Sequence, residues 1–330
     1  MFCIRFRISW KYNGERKLAY GGVARKWEVG SMKVPSRSFF PLALVIALGF
    51  IAVPGAARAA NEPIPAAARD RGAGIPTSMF GTFVNQHQLL VFPFFEHVSD
   101  HNHEYNPALL GFGPNVDYRG KYHSSSGQLF IAYGVTDRLA VEFEMSRIRA
   151  SLEKDVADNT ATPPRIEESG LGDVGGQVRM RLADETAGRP EVFGFVEITA
   201  PSQKHKLLIG NPDWDFRPGI GMIRGFSWGT MTFRTTFEYN REVSALSEPA
   251  HLDIGETSVE YLRRLSPGLR LNVGLEGGEG GAPDEWELRS GLQARITNGV
   301  LLRLDNSVGL FSKAPDWTPA VGLMFSLPRH

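Results

Sequence analysis

Leu139, Val141, Phe143 and Met145 alternate along the chain with Ala140, Glu142, Glu144 and Ser146. Successive side chains of a strand point to opposite faces, so a period of two predicts a strand with one greasy face and one charged face. The pattern recurs. Met231, Phe233, Thr235, Phe237 and Tyr239 alternate with Thr232, Arg234, Thr236, Glu238 and Asn240. Leu269, Leu271, Val273 and Leu275 alternate with Arg270, Asn272, Gly274 and Glu276. Trp286, Leu288, Ser290, Leu292, Ala294 and Ile296 alternate with Glu287, Arg289, Gly291, Gln293 and Arg295. Twelve strands are expected, at 86–98, 124–135, 139–151, 170–182, 190–201, 216–226, 229–242, 253–264, 268–277, 284–296, 299–311 and 317–327. The first is apolar on both faces, and no amphipathic helix competes with the set.

The connections alternate too. TDR (136–138), ADETAGRP (183–190), FSWG (226–229), SPG (266–268) and TNG (297–299) are short. Ser99–His123, Glu153–Ser169, Ser202–Asp215 and Val243–His251 are longer. Short turns on one side and long loops on the other mark a transmembrane antiparallel β-barrel, with the short turns periplasmic. Soluble sandwiches show the same alternation of side chains. The loop asymmetry argues for the barrel. So do aromatic residues at strand ends, Trp228 near a short turn and Trp286, Trp317 and Tyr239 near long loops, placed as interfacial girdles. The expected fold is all-β, one barrel of about 12 strands over residues 86–330.

Hydropathy does not contradict this. Mean hydropathy is −0.19, but only alternate residues of a barrel strand face lipid. The segment 32–59 supplies an export signal. Lys33 and Arg37 precede an apolar run from Phe39 to Val53, and Ala57-Arg58-Ala59 offers a small-x-small cleavage site. The run is shorter than the ~20 residues a spanning helix needs. Residues 1–31 read as an extension ahead of a true start at Met32, and 60–85 as a flexible lead-in. Cleavage near Ala59 would deliver the mature chain to the outer membrane.

Charge and cysteine narrow the partners. Residues 1–59 hold ten of the 36 basic side chains and two of the 36 acidic ones, leaving 26 basic against 34 acidic. A net of −8 argues against nucleic acid. The single cysteine is Cys3, so neither a disulfide framework nor a thiol nucleophile exists beyond the signal. The expected partners are the outer-membrane bilayer, the assembly machinery and an unidentified small-molecule solute, with no cofactor. The last strand, with Val321, Leu323, Phe325 and Leu327 on one face and Gly322 among them, resembles the outer-membrane assembly signal. It departs from that pattern in ending on Pro328-Arg329-His330.

GLGDVG (170–175) matches the dinucleotide fingerprint G-x-G-x-x-G. That motif needs a buried strand before it and a helix after it. Here the loop ATPPRIEES precedes it, and GQVRMRL, an alternating strand, follows. The glycines instead mark a bend or a close backbone approach. SGLGDVGGQVRMRL (169–182) resembles the signature strand of outer-membrane proteins grouped under the MetA pathway of phenol degradation. YGVTDRLAVEFE (133–144) resembles that family's second turn, and EITAPSQKHKLLIGNPDWDFRPGIGM (197–222) its strand-loop-strand. The resemblance implies a barrel passing small, hydrophobic or aromatic compounds, and it implies no catalytic residue.

The charged faces supply the candidate lumen: Glu142, Glu144, Asp173, Arg179, Arg181, Glu197, Arg234, Glu238, Arg270, Glu276, Glu287, Arg289, Arg295, Arg303 and Asp305. Arginine pairs carboxylates bidentately, so a paired network filling the barrel is one reading and a narrow polar pore the other. His97, His101 and His103, expected in the first long loop, offer imidazoles beside carboxylates, a combination suited to zinc, copper or nickel. A solvated loop is the simpler reading. Ser307 faces the lumen side without a histidine in a neighbouring strand, so a lipid hydrolase has little support and no catalytic residue is assigned. The functional expectation is a channel or transporter, with a structural or ligand-binding barrel as the alternative.

Overall fold

The computed structural model describes residues 84–203, 205–210, 214–226, 229–240, 251–277 and 285–327. The expected signal, most of the lead-in, Trp228, the loop after Asn240 and the tail 328–330 lie outside the described residues.

Thirteen strands run in chain order: β1 (Leu89–Tyr105), β2 (Tyr118–Gly134), β3 (Leu139–Glu153), β4 (Arg165–Leu171), β5 (Val174–Ala183), β6 (Glu191–Ala200), β7 (Asp215–Phe226), β8 (Gly229–Asn240), β9 (His251–Ser266), β10 (Leu269–Gly277), β11 (Glu287–Thr297), β12 (Val300–Gly309) and β13 (Trp317–Leu327). Consecutive strands other than β4 and β5 pair antiparallel, and β1 pairs β13, with Phe94 opposite Gly322. That pairing closes the sheet, as a spanning sheet requires, while β4 pairs β3 alone.

β4 and β5 share one partner. β5 pairs the lower part of β3, with Glu144 opposite Gly175, and β4 pairs the upper part, with Arg147 opposite Leu171. They are two halves of one barrel strand broken at Gly172-Asp173, so the wall is twelve strands round. β5 continues to β6 only as far as Val174 opposite Ala200. Asp173 is fully buried, and its carboxylate accepts the N–H of Ser202 at 2.8 Å. GLGDVG is thus the break itself, rather than the start of the fourth strand as the sequence reads.

The molecule is inside out relative to a soluble protein. Arg179, Arg234, Arg270 and Arg303 are each 1% exposed. Val141, Phe143, Val178, Met180, Leu292, Leu304 and Val321 face outward and are exposed, which is the lipid face of a barrel. Two apolar clusters close the interior at its ends. Leu90, Phe92, Phe94, Phe130, Leu301 and Met324 fill the short-turn end. Tyr105, Leu110, Ile148, Leu152, Leu208 and Ile209 gather at the long-loop end.

Candidate functional site

The middle of the lumen is a layer of arginines held by carboxylates and rings. β6 turns Phe193 and Phe195 inward, on the same face as Glu191 and Glu197. Their rings fit because the next strand presents Gly221 and Gly219 beside them. A Cβ at either glycine would overlap the facing ring, an alternation of large and small that fills narrow barrels. The Arg179 guanidinium lies 4.5 Å from the Phe193 centroid and that of Arg234 4.4 Å from the Phe195 centroid. Desolvated cation–π contacts of this kind are worth ~2 kcal/mol.

The expected lumen residues fall into several groups. Glu142 accepts from Gln177 at 3.0 Å and lies 3.8 Å from Arg179. Glu197 pairs with Arg234 and Glu276 with Arg289. Arg303 pairs with Asp305 at 3.0 Å and lies over Phe92. Glu238 lies 3.6 Å from Arg217, a partner the sequence reading passed over. Glu144, Arg270 and Glu287 are buried inward, while Asp173 anchors backbone instead of facing an open lumen. Arg181 lies at the short-turn rim with Glu191 and Asp184, and Arg295 is exposed at that rim. A buried ion pair gains little net stability, but removing one partner leaves an uncompensated charge.

Above this layer lies a cavity of about 410 Å³. Its lining holds the carboxylates Glu96, Asp100, Glu104, Asp117, Glu285 and Glu287 against a single lysine, Lys313. Val98, Leu109, Leu110, Ile148, Leu152 and Leu208 line it as well, Val98 between Glu96 and Asp100 on β1. A separate void of about 20 Å³, room for one water, lies among Arg289, Arg303, Asp305 and Ser307.

Loops build the cavity's roof. In the β1–β2 connection, Asn106 donates to Asn115 at 2.6 Å and to Asp117 at 2.9 Å, and accepts the N–H of Ala108. Local side-chain bonds of this kind offer the backbone a turn. Leu110 thereby packs toward Ile148 and Leu152. Glu168 of β4 accepts the N–H groups of Leu207 and Leu208, which draws that loop inward. Arg119 joins Glu104 at 2.7 Å and donates to the carbonyl of Ser312 at 2.9 Å, tying down the last loop. Tyr105 donates to Asp158 at 2.7 Å. Burial pushes the Asp158 carboxyl up, but hydrogen bonds from Thr160, Tyr105 and Thr162 outweigh it and hold the group at about 2.

The three histidines are not on a loop. All lie in β1, which runs seven residues past the expected strand end at 98. His97 and His101 both pack against the His123 ring, at 6.4 and 5.6 Å between centroids, while His103 stacks on Tyr122. His97 contacts the Ser125 hydroxyl, His101 the Asp316 carboxylate and His103 the Asp100 carboxylate. The His101 backbone N–H, donating at 2.8 Å, holds the Asp316 carboxyl below the usual carboxylate range. Among the described residues no cluster of three ligands could hold a metal ion. Asn106, Leu110, Leu208, Phe193 and Phe195 are the site residues that sequence reading missed. The two phenylalanines were detectable, because they share parity with Glu197.

Among solved structures, the fold is similar to that of an outer membrane channel from Pseudomonas putida F1. The TM-score is 0.50 at 16% identity, over 74% of this chain and 97% of that one. The translocator domain of autotransporter NalP from Neisseria meningitidis aligns with a TM-score of 0.44 at 14% identity, over 73% of this chain and 89% of that one. The Ralstonia pickettii toluene transporter TbuX aligns with a TM-score of 0.42 at 9% identity, over 81% of this chain and 94% of that one. No protein-family model matches the chain, and no curated protein matches it in sequence. At these identities the likeness establishes the outer-membrane barrel fold alone.

Proposed function

We propose that this barrel sits in the outer membrane, exported by the 32–59 signal, and admits small, half-apolar solutes through the long-loop end. The observation that carries this reading is the cavity of about 410 Å³, lined by carboxylates and by apolar side chains, beside the arginine layer. Its size falls in the range of small-molecule sites, which are mostly apolar with a few placed polar groups. A phenol or aromatic amine satisfies both kinds of lining group, since its ring meets the leucines and its O–H or N–H donates to a carboxylate. An aromatic carboxylate meets like charge and is disfavoured. The similar barrel of Pseudomonas putida F1 is itself an outer membrane channel, and the resemblance of 169–182 to the phenol-degradation group agrees with the chemistry. The arginine layer then acts as a salt-bridged filter that lets a solute by only when pairs part.

Two measurements test this. Titration of the detergent-purified protein with phenol and with benzoate is expected to show saturable binding of phenol alone. Equal binding, or none, contradicts the assignment. In planar bilayers the protein is expected to show small or no steady conductance, and conductance at the level of general porins would refute the packed lumen. Binding without solute entry into cells would favour the alternative of a ligand-binding barrel without transport.

A further inference from the structure

The outward face of β3 changes character partway up. Leu139, Val141, Phe143 and Met145 present an apolar ladder, and the next two outward positions are Arg147 and Arg149, both exposed. With a rise of ~3.3 Å per residue and a strand tilt of ~40°, Arg147 sits ~20 Å and Arg149 ~25 Å above Leu139. The apolar band of such barrels is ~25 Å tall. Both guanidiniums therefore emerge at the outer-leaflet edge of the hydrocarbon, Arg147 by extending its stem upward.

The cost of an arginine on the lipid face falls off toward the interface and is offset there by an anion, which the protein does not supply. Cross-strand neighbours of Arg147 are Gly127 and Leu171, and those of Arg149 are Ser125 and Ser169. The outward carboxylates one and two rows higher, Glu167 and Glu153, both engage Arg165, at 2.7 and 3.3 Å. Among the described residues neither Arg147 nor Arg149 forms an ion pair. His97 lies beyond Ser125 and contacts its hydroxyl at 2.9 Å. Elsewhere the described outward positions near this rim are apolar, such as Phe216 on β7, Leu288 on β11, Val308 on β12 and Trp317 on β13. The positive charge is confined to one flank.

We propose that Arg147 and Arg149, with Ser125, Ser169 and His97 around them, bind the phosphate of a phosphorylated glycolipid in the outer leaflet. Guanidinium and phosphate match in charge and in fork geometry. The lipid's acyl chains then lie along Phe143 and Met145, and the phosphate offsets the cost of two arginines at the membrane edge. The site lies outside the barrel and takes no part in solute binding. It rests on the outer-membrane placement, which heat-modifiable migration of the folded protein on gels checks separately.

The test titrates detergent-purified protein with bisphosphorylated lipid A and with its dephosphorylated form, reading affinity from intrinsic fluorescence or native mass spectra. Wild type is expected to prefer the phosphorylated lipid at least tenfold. R147Q/R149Q is expected to lose that preference while still binding phenol, and R165Q, whose arginine is already paired, to keep it. Equal affinity of wild type for both lipids, or a preference retained in R147Q/R149Q, overturns the proposal. So does an equal loss in R165Q, which would make the effect one of net charge. Should the double variant not fold, R147K/R149K keeps the charge and loses the fork. It is expected to bind the phosphorylated lipid severalfold more weakly than wild type, and unchanged binding overturns the proposal equally.

Discussion

Gly219 and Gly221 leave the space that Phe195 and Phe193 fill, so the arginine layer depends on two residues with no side chain. Gly221→Leu is expected to cost the ~1–3 kcal/mol of stability typical of overpacking, read as a fall in the temperature at which heat-modifiable migration is lost. An unchanged midpoint would show the rings free to move. Arg179 is the cation nearest the buried Glu142. Arg179→Leu strands that charge, and breaking such a pair costs ~3–5 kcal/mol. Adding Glu142→Leu is expected to restore most of the loss, whereas additive losses would show that the two do not interact. The Asp158 carboxyl, held at about 2 against an ordinary 3.8, gives a signed pH effect. Its folded value is depressed, so its contribution is complete above about 3.8 and is lost as pH falls through about 2. Hydrogen exchange across residues 154–164 is expected to accelerate in that window, and to be fast at every pH in Asp158→Asn. Individual charges were legible in the sequence, and their partners were not. Arg217 meets Glu238 from the neighbouring strand, a pairing that alternation within one strand does not reveal.

Strands were legible where they cross lipid. β13 ends at the expected residues, and β3 and β12 differ from expectation by two residues or fewer at each end. Lipid on one side and a packed lumen on the other impose the period of two. β1 and β2 lost their pattern above Val98 and below Ser124, where neither face meets hydrocarbon, and the sequence reads there as a loop. The break at Gly172-Asp173 was visible only as a cluster of glycines. The β1–β2 roof had no periodicity to detect, because its shape comes from Asn106 bonding Asn115 and Asp117. Asn106→Ala is expected to release that loop, making 106–117 a protease-sensitive site and weakening phenol binding severalfold, as followed by fluorescence titration. Unchanged binding would mean that the roof does not shape the cavity.

On the scale of the molecule, the barrel follows from two independent patterns, alternation along strands and asymmetry between turns. Neither depends on packing detail, which is why closure and strand number were accessible from the chain. The cavity is a different kind of object. It forms where four loops and five strands meet, and its carboxylates include Asp100 of β1, Asp117 of a loop and Glu287 of β11, residues too far apart in sequence to suggest one another. The two meet in the proposed function, in which a closed barrel holding an internal cavity of about 410 Å³ with acidic and apolar lining, above a layer of paired arginines, serves solute entry. The initial rate at which a labelled phenol, at low micromolar concentration, enters intact cells lacking or carrying this protein tests it most directly. The rate is expected to rise with the protein, to stay unchanged for labelled benzoate, and to fall back when Asn106 is replaced by alanine. Identical phenol entry with and without the protein would contradict the account.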